Sequence, residues 1–136
     1  MTPTELHHFI TENFGGIIVD HPWESDPDYT VYRHADNRKW FALHFTATKS
    51  QLARLKLGDE ILNTYPDDAR LDIVNLKLDP DFIPDVIATP GFLPAYHMNR
   101  HYWVTAILTP ATDTAKLQQL IDQSYTLTAK NHTPSN

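Results

Sequence analysis

Apolar periodicity changes twice along this chain, and that change constrains the fold more than any other feature. Near the N-terminus Leu6, Phe9, Ile10 and Phe14 recur at helical spacing, and near the C-terminus Leu117, Leu120, Ile121, Ser124 and Leu127 do the same. Between them the period is that of a strand. Phe41, Leu43 and Phe45 alternate with Trp40, Ala42 and His44, while Val74, Leu76 and Leu78 alternate with Ile73, Asn75 and Lys77. Helices with one apolar stripe, enclosing strands with one apolar face, predict an α+β domain. In it the N- and C-terminal helices pack on one face of an antiparallel β-sheet. At 136 residues the chain suits one such core rather than two.

Local signals set the boundaries. Thr2-Pro3-Thr4-Glu5 is a capping box with proline at the first helical position, and Gly15-Gly16 stops the helix. A short strand follows at Ile17-Ile18-Val19, then a polar loop over residues 23–28, with Trp23 expected as a lid on the sheet. Two β-rich runs, Tyr29 to Arg33 and Lys39 to Phe45, are joined by five residues and predict a hairpin. Residues 46–70 predict an irregular excursion: Ser50 to Leu57 can form a helical turn, and Gly58-Asp59, Pro66 and Asp67-Asp68 are turn chemistry. Leu71 to Leu78 is a strand, Asp79-Pro80 caps a short helix reaching about Thr89, and residues 90–94 form a rigid loop. Tyr102 to Leu108 is the last strand, and Thr112 or Asp113 caps the last helix. Residues 1–129 thus read as a single domain, and 130–136 as a frayed polar tail.

Composition narrows the chemistry. The absence of cysteine excludes disulfides, zinc–thiolate sites and thiol nucleophiles. Four glycines, placed as they are, write neither GxGxxG nor a Walker A loop, and there is no GxSxG or HExxH. No apolar run approaches the roughly 20 residues of a membrane span, and Met1 to Glu5 has no signal-peptide character. A cytoplasmic protein that binds rather than catalyses is the expectation, with no catalytic residue, cofactor, membrane or metal site assigned. The net charge of −6 is unevenly spread: residues 1–28 carry −6, residues 29–56 carry +5 and residues 57–85 carry −6.

The densest functional segment is Pro94-Ala95-Tyr96-His97-Met98-Asn99-Arg100-His101-Tyr102-Trp103, where stacking rings and hydrogen-bond donors alternate. Together with Asn75-Leu76-Lys77-Leu78-Asp79-Pro80, Gly91-Phe92-Leu93, Ser124-Tyr125, Pro22-Trp23 and Arg38-Lys39-Trp40-Phe41-Ala42-Leu43, it resembles the signature blocks of the MmcQ/YjbR-like family over about residues 4 to 128. The chain departs from that pattern at Leu78, at Arg100 and in the length of residues 46–70. The resemblance implies a frataxin/CyaY-like α+β fold and DNA binding through two wings.

On this sequence the wings are the 29–45 hairpin, with Arg33, Arg38 and Lys39, and the loop before the last strand, with His97, Asn99, Arg100 and His101; Lys77 completes the cationic set. DNA contact through them is expected to be weak and salt-sensitive, because acidic flanks oppose a polyanion. The alternative is a small-molecule or anion pocket formed by Asn75, Lys77, Tyr96, His97, Arg100 and Tyr125. A third reading, metal binding of the frataxin kind, has only His97-x3-His101 and scattered acids behind it. The oligomeric state is not legible from these residues.

Overall fold

A computed structural model describes residues 1–22 and 29–129. The expectations for Trp23, the 23–28 loop and the 130–136 tail lie outside the described residues. The first helix, α1 (Pro3–Asn13), starts at the expected capping box. The Thr2 hydroxyl accepts from the Glu5 amide at 3.1 Å, and the Glu5 carboxylate accepts from the Thr2 amide at 2.9 Å.

Six strands then form one antiparallel sheet: β1 (Ile17–Asp20), β2 (Thr30–His34), β3 (Trp40–Thr48), β4 (Arg70–Lys77), β5 (Phe92–Pro94) and β6 (Trp103–Ile107), in the order β1-β2-β3-β4-β6-β5. Three further helices are α2 (Lys49–Ala53), α3 (Ile83–Ile87), entered through a 3-10 turn at Pro80–Phe82, and α4 (Thr114–Thr128), capped by Asp113.

One face of the sheet is covered as the periodicities require. Leu6 and Ile10 of α1, Leu117, Leu120 and Ile121 of α4, and Ile83 and Val86 of α3 bury Tyr32, Phe41, Val74, Leu76 and Val104. Phe9 is only partly buried against this layer. The fold class is therefore α+β, with both terminal helices on one face.

The expected grouping of Phe41 with Leu43 and Phe45 is corrected by a bulge. In the β2–β3 register Tyr32 pairs with Ala42 but Arg33 pairs with Trp40, which leaves Phe41 as an extra residue. Phe41 and Ala42 consequently both join the helix-covered layer, whereas Leu43, Phe45 and Ala47 belong to the opposite one. Ser124 of α4 occupies the break. Its hydroxyl donates to the Phe41 carbonyl at 2.6 Å and accepts from the Lys77 amide at 3.0 Å, satisfying backbone groups that regular pairing would otherwise have satisfied.

Residues 46–70 are only in part irregular. Thr46 to Thr48 continue β3, and Thr48 with Gln51 makes a second capping box at the start of α2. Leu52 and Leu62, both fully buried, close the opposite face over Val31, Phe45, Leu71, Ile73 and Ile107. Asp59, 2% exposed, fastens this cover. Its carboxylate accepts from Lys56 Nζ at 2.8 Å, the Leu62 amide at 2.9 Å and the Gly91 amide at 3.0 Å. Gly91 sits at φ 87, and a Cβ there would meet Thr112 Oγ1 at 2.7 Å, so only glycine fits. Residues 90–94 are likewise more ordered than a loop, since Phe92–Pro94 pair with β6.

Candidate nucleic-acid interface

The topology brings the two expected wings to one end of the sheet. β2 ends and β3 begins there, so the 35–39 hairpin tip stands at that end; β4 ends at Lys77, which pairs with Trp103 at the start of β6. The 95–102 loop, which leaves β5 and enters β6, is therefore two strand positions from the hairpin, on the order of 10 Å at the usual strand spacing.

The first wing is rigid because its tip is fastened on two sides. The Ala35 amide donates to the Gly16 carbonyl at 2.7 Å, and Asn37 Nδ2 donates to the Thr128 carbonyl at the end of α4 at 2.9 Å. Asn37 Oδ1 also accepts from the Lys39 amide, and Arg38 takes a left-handed φ of 65 at the turn. At the base of the wing His34 is buried, 2.8 Å from the Thr128 hydroxyl and packed on Phe41 and Tyr125. Burial holds its imidazole below the ordinary histidine pKa, against an opposing hydrogen bond to the Tyr125 backbone. What remains exposed at the tip is Ala35 and three charges: the Asp36 carboxylate and the Arg38 and Lys39 side chains.

The second wing is an ordered turn. Asn99 organises it by accepting the Tyr102 and Trp103 amides on its carbonyl and the His101 amide on Oδ1. Asn75, fully buried under the loop, donates to the Tyr96 carbonyl at 2.9 Å and accepts from the Thr105 hydroxyl. Thr105 Oγ1 accepts in turn from the Tyr96 amide at 2.8 Å. Tyr96 and Met98 pack toward the Leu52 layer, whereas His97, Arg100, His101 and Tyr102 are exposed. Tyr102 reads in sequence as a strand residue, but β6 begins one residue later and the ring is 42% exposed.

The cations differ in their commitments. Arg33 is paired with Asp20 across the β1–β2 ladder, Lys49 with Asp67 and Lys56 with Asp59. Arg38, Lys39, Lys77 and Arg100 form no ion pair among the described residues. Lys77 Nζ instead lies 6.0 Å from the centroid of the Tyr102 ring. Arg33 thus belongs to the sheet edge rather than to the wing surface, a commitment that only the strand register reveals.

Of the residues expected to form the alternative pocket, Asn75 is joined to Tyr96 by a hydrogen bond and the Tyr96 and His97 rings are 3.9 Å apart, while the others have different neighbours. Asn75 is sealed inside, Tyr125 lies in the helix-covered layer donating to the Gly15 carbonyl at 2.7 Å, and Lys77 faces Tyr102. Sequence reasoning missed a different recess of about 240 Å³, bounded by Lys77, Leu78, Asp79, Pro80, Tyr102 and Leu127. Its residues come from three separated segments, so no local motif announces it. Remote from both wings, His7, His8, His21 and His44 line an open cleft with Tyr32, whose phenol burial pushes to a pKa of about 12. Among the described residues no three histidines or carboxylates converge to hold a metal ion, and no helix is long and apolar enough to cross a membrane.

Comparison with known proteins follows the same outline. A family model described as YjbR matches residues 13–127. The uncharacterised protein YyaQ of Bacillus subtilis (strain 168) is 28% identical over 128 residues, covering 94% of this chain and 98% of its own length. A crystal structure of a Pseudomonas syringae protein superposes with a TM-score of 0.82 at 31% identity, over 95% of this chain and 100% of that one. A solution structure from the same organism gives 0.78 at 30% identity, over 100% and 99%. A Deinococcus radiodurans protein with a DUF419 domain, 19% identical and covering 99% of this chain and 84% of that one, shares the fold at a TM-score of 0.68.

Proposed function

Given that the chain belongs to the YjbR family, we propose that it binds nucleic acid through the wing end of its sheet, with Arg38, Lys39, Lys77 and Arg100 contacting backbone phosphates. The observation that carries this reading is the gathering of unpaired cations at one end of the sheet. Arg38, Lys39, Lys77 and Arg100 stand there without an ion pair among the described residues; Arg33, Lys49 and Lys56 are each paired with an aspartate, and the other unpaired cations, Arg54, Arg70 and Lys116, lie on other parts of the fold. A cation already paired gains little from a phosphate, whereas an unpaired one releases a counterion from the polyanion. His97, Asn99 and His101, all exposed, supply further hydrogen-bonding groups between the charges.

The same arithmetic predicts weak binding. Four phosphate contacts correspond to a slope of log affinity against log salt of about −3.6. The acidic remainder of the surface opposes long-range attraction, so affinity falls quickly as salt rises. Fluorescence anisotropy against labelled DNA at low salt tests the reading. Replacing Arg38 and Lys39 together with Glu should abolish binding and leave the melting temperature nearly unchanged, since exposed charges contribute little to stability. Wild-type protein that shows no salt-dependent binding at tens of micromolar, or a double variant that binds equally well, rules the reading out.

A further inference from the structure

We infer that the recess beside Lys77 takes one unpaired nucleobase, which makes single-stranded rather than duplex nucleic acid the partner of the wing end. The inference rests on the phosphate-binding reading above and adds what that reading leaves open, the class of strand. The lining of the recess includes the apolar Leu78, Pro80 and Leu127 together with Tyr102. The recess of about 240 Å³ has room for a planar heterocycle.

Tyr102 is placed as a stacking surface. It is among the few large apolar side chains left exposed, at 42%. The His101 ring meets it edge-on at 4.6 Å and 82°, and the Lys77 ammonium stands 6.0 Å from its centroid. An exposed aromatic plane next to a cation is an arrangement on which bases of a single strand stack, whatever their sequence. The recess is poorly suited to a phosphate. Asp79 lines it together with Lys77 and the apolar Leu78, Pro80 and Leu127, so an anion inside it would face a carboxylate. Phosphates are better met outside it, on Arg38, Lys39 and Arg100, with Lys77 reaching the phosphate that flanks the stacked base.

A duplex cannot use this site without paying to unstack and unpair a base, whereas an unpaired strand offers one at little cost. The hairpin is also unsuited to a groove. Its tip is bound back to Thr128 and Gly16, so it does not project as the free ribbon that a major groove admits.

The test compares a thymidine oligomer of about 15 nucleotides, long enough for the site sizes of single-strand binders, with the matching duplex and with thymidine monophosphate. Wild type should bind the single strand more tightly than the duplex. Tyr102→Ala should weaken single-strand binding about tenfold and leave duplex binding unchanged, while Tyr102→Phe, which keeps the ring, should restore it. Equal affinity for strand and duplex, or a Tyr102→Ala variant that binds the strand like wild type, overturns the recess assignment and leaves the phosphate reading standing. Loss of all DNA binding in wild type overturns the phosphate reading itself. Tyr102-dependent binding of the monophosphate as tight as that of the oligomer overturns the assignment to a strand.

Discussion

The two faces of the sheet are sealed by different means. On one, α1 and α4 lay down Leu6, Ile10, Leu117, Leu120 and Ile121 from regular helices, and repeated apolar burial suffices. On the other, a five-residue helix and a three-residue 3-10 turn bring only Leu52 and Leu62 to full burial. A cover so short cannot hold its own conformation, because each ordered residue costs backbone entropy that few contacts offset. Polar groups make up the difference. Asp59 gathers Lys56 and the amides of Ile61, Leu62 and Gly91, and Asn75 with Thr105 pins the loop at Tyr96. The lesson is that a layer without periodicity is held by particular hydrogen bonds, and is correspondingly vulnerable to their loss.

The largest expected effect tests whether both covers are genuine core. Leu120→Ala on the helical face and Leu52→Ala on the other should each cost about 2–5 kcal/mol in urea denaturation. A loss below about 1 kcal/mol for Leu52→Ala would mean that the second cover is only loosely attached.

Next comes the polar fastening. Asp59→Asn keeps the shape but leaves Lys56 without its counter-charge, and should cost about 2–3 kcal/mol. Burial pushes the Asp59 carboxyl up, but the hydrogen bond from Lys56 and those from the Leu62 and Gly91 amides outweigh it, so its pKa lies below the ordinary 3.8. The stability it contributes is therefore complete above that value and is lost as pH falls through the lowered one. An acid titration followed by circular dichroism should show this limb in wild type and not in Asp59→Asn.

The smallest effect belongs to the helical face, where His34 is a polar latch alongside those of Ser124 and Tyr125. Its neutral form is favoured by burial, so stability is complete above pH 6.5 and declines as pH falls from there through the lowered pKa. Melting temperatures across that interval should fall in wild type and flatten in His34→Gln. An equal fall in both would place the titration elsewhere and leave Ser124 and Tyr125 as the polar contacts of the helical face.

The helical face was largely legible in the sequence because its signals are local. Thr2 with Glu5 and Asp113 mark helix starts, and the apolar stripes need no knowledge of partners. The second cover was only partly legible: a helical turn over Ser50 to Leu57 could be read, but Leu52, Leu55, Ile61 and Leu62 share no single period, and the Thr48–Gln51 capping box was there to be read as well. The bulge at Phe41 was invisible for a different reason. It exists only relative to β2, and alternation along β3 alone assigns Phe41 to the wrong layer. At the wing end the exposed cations and the aromatic loop were evident as residue types. The pairing of Arg33 with Asp20 and the exposure of Tyr102 depended on strand register and strand start, which residue type does not determine.

The lysine at position 56 also has a consequence beyond its ion pair. β1 and β5 are the margins of the sheet, four and three residues long. Margins of this kind invite another chain to add a strand, the first step of aggregation. Here β5 ends on Pro94, which has no N–H to offer, and Lys56 Nζ donates to the Phe92 carbonyl at 3.2 Å, occupying an acceptor on the marginal strand. The contact that organises the second cover thus also blunts the margin. A chain that has lost Lys56 would carry a sticky border through every cycle of unfolding and refolding, even under conditions where its native state is still well populated.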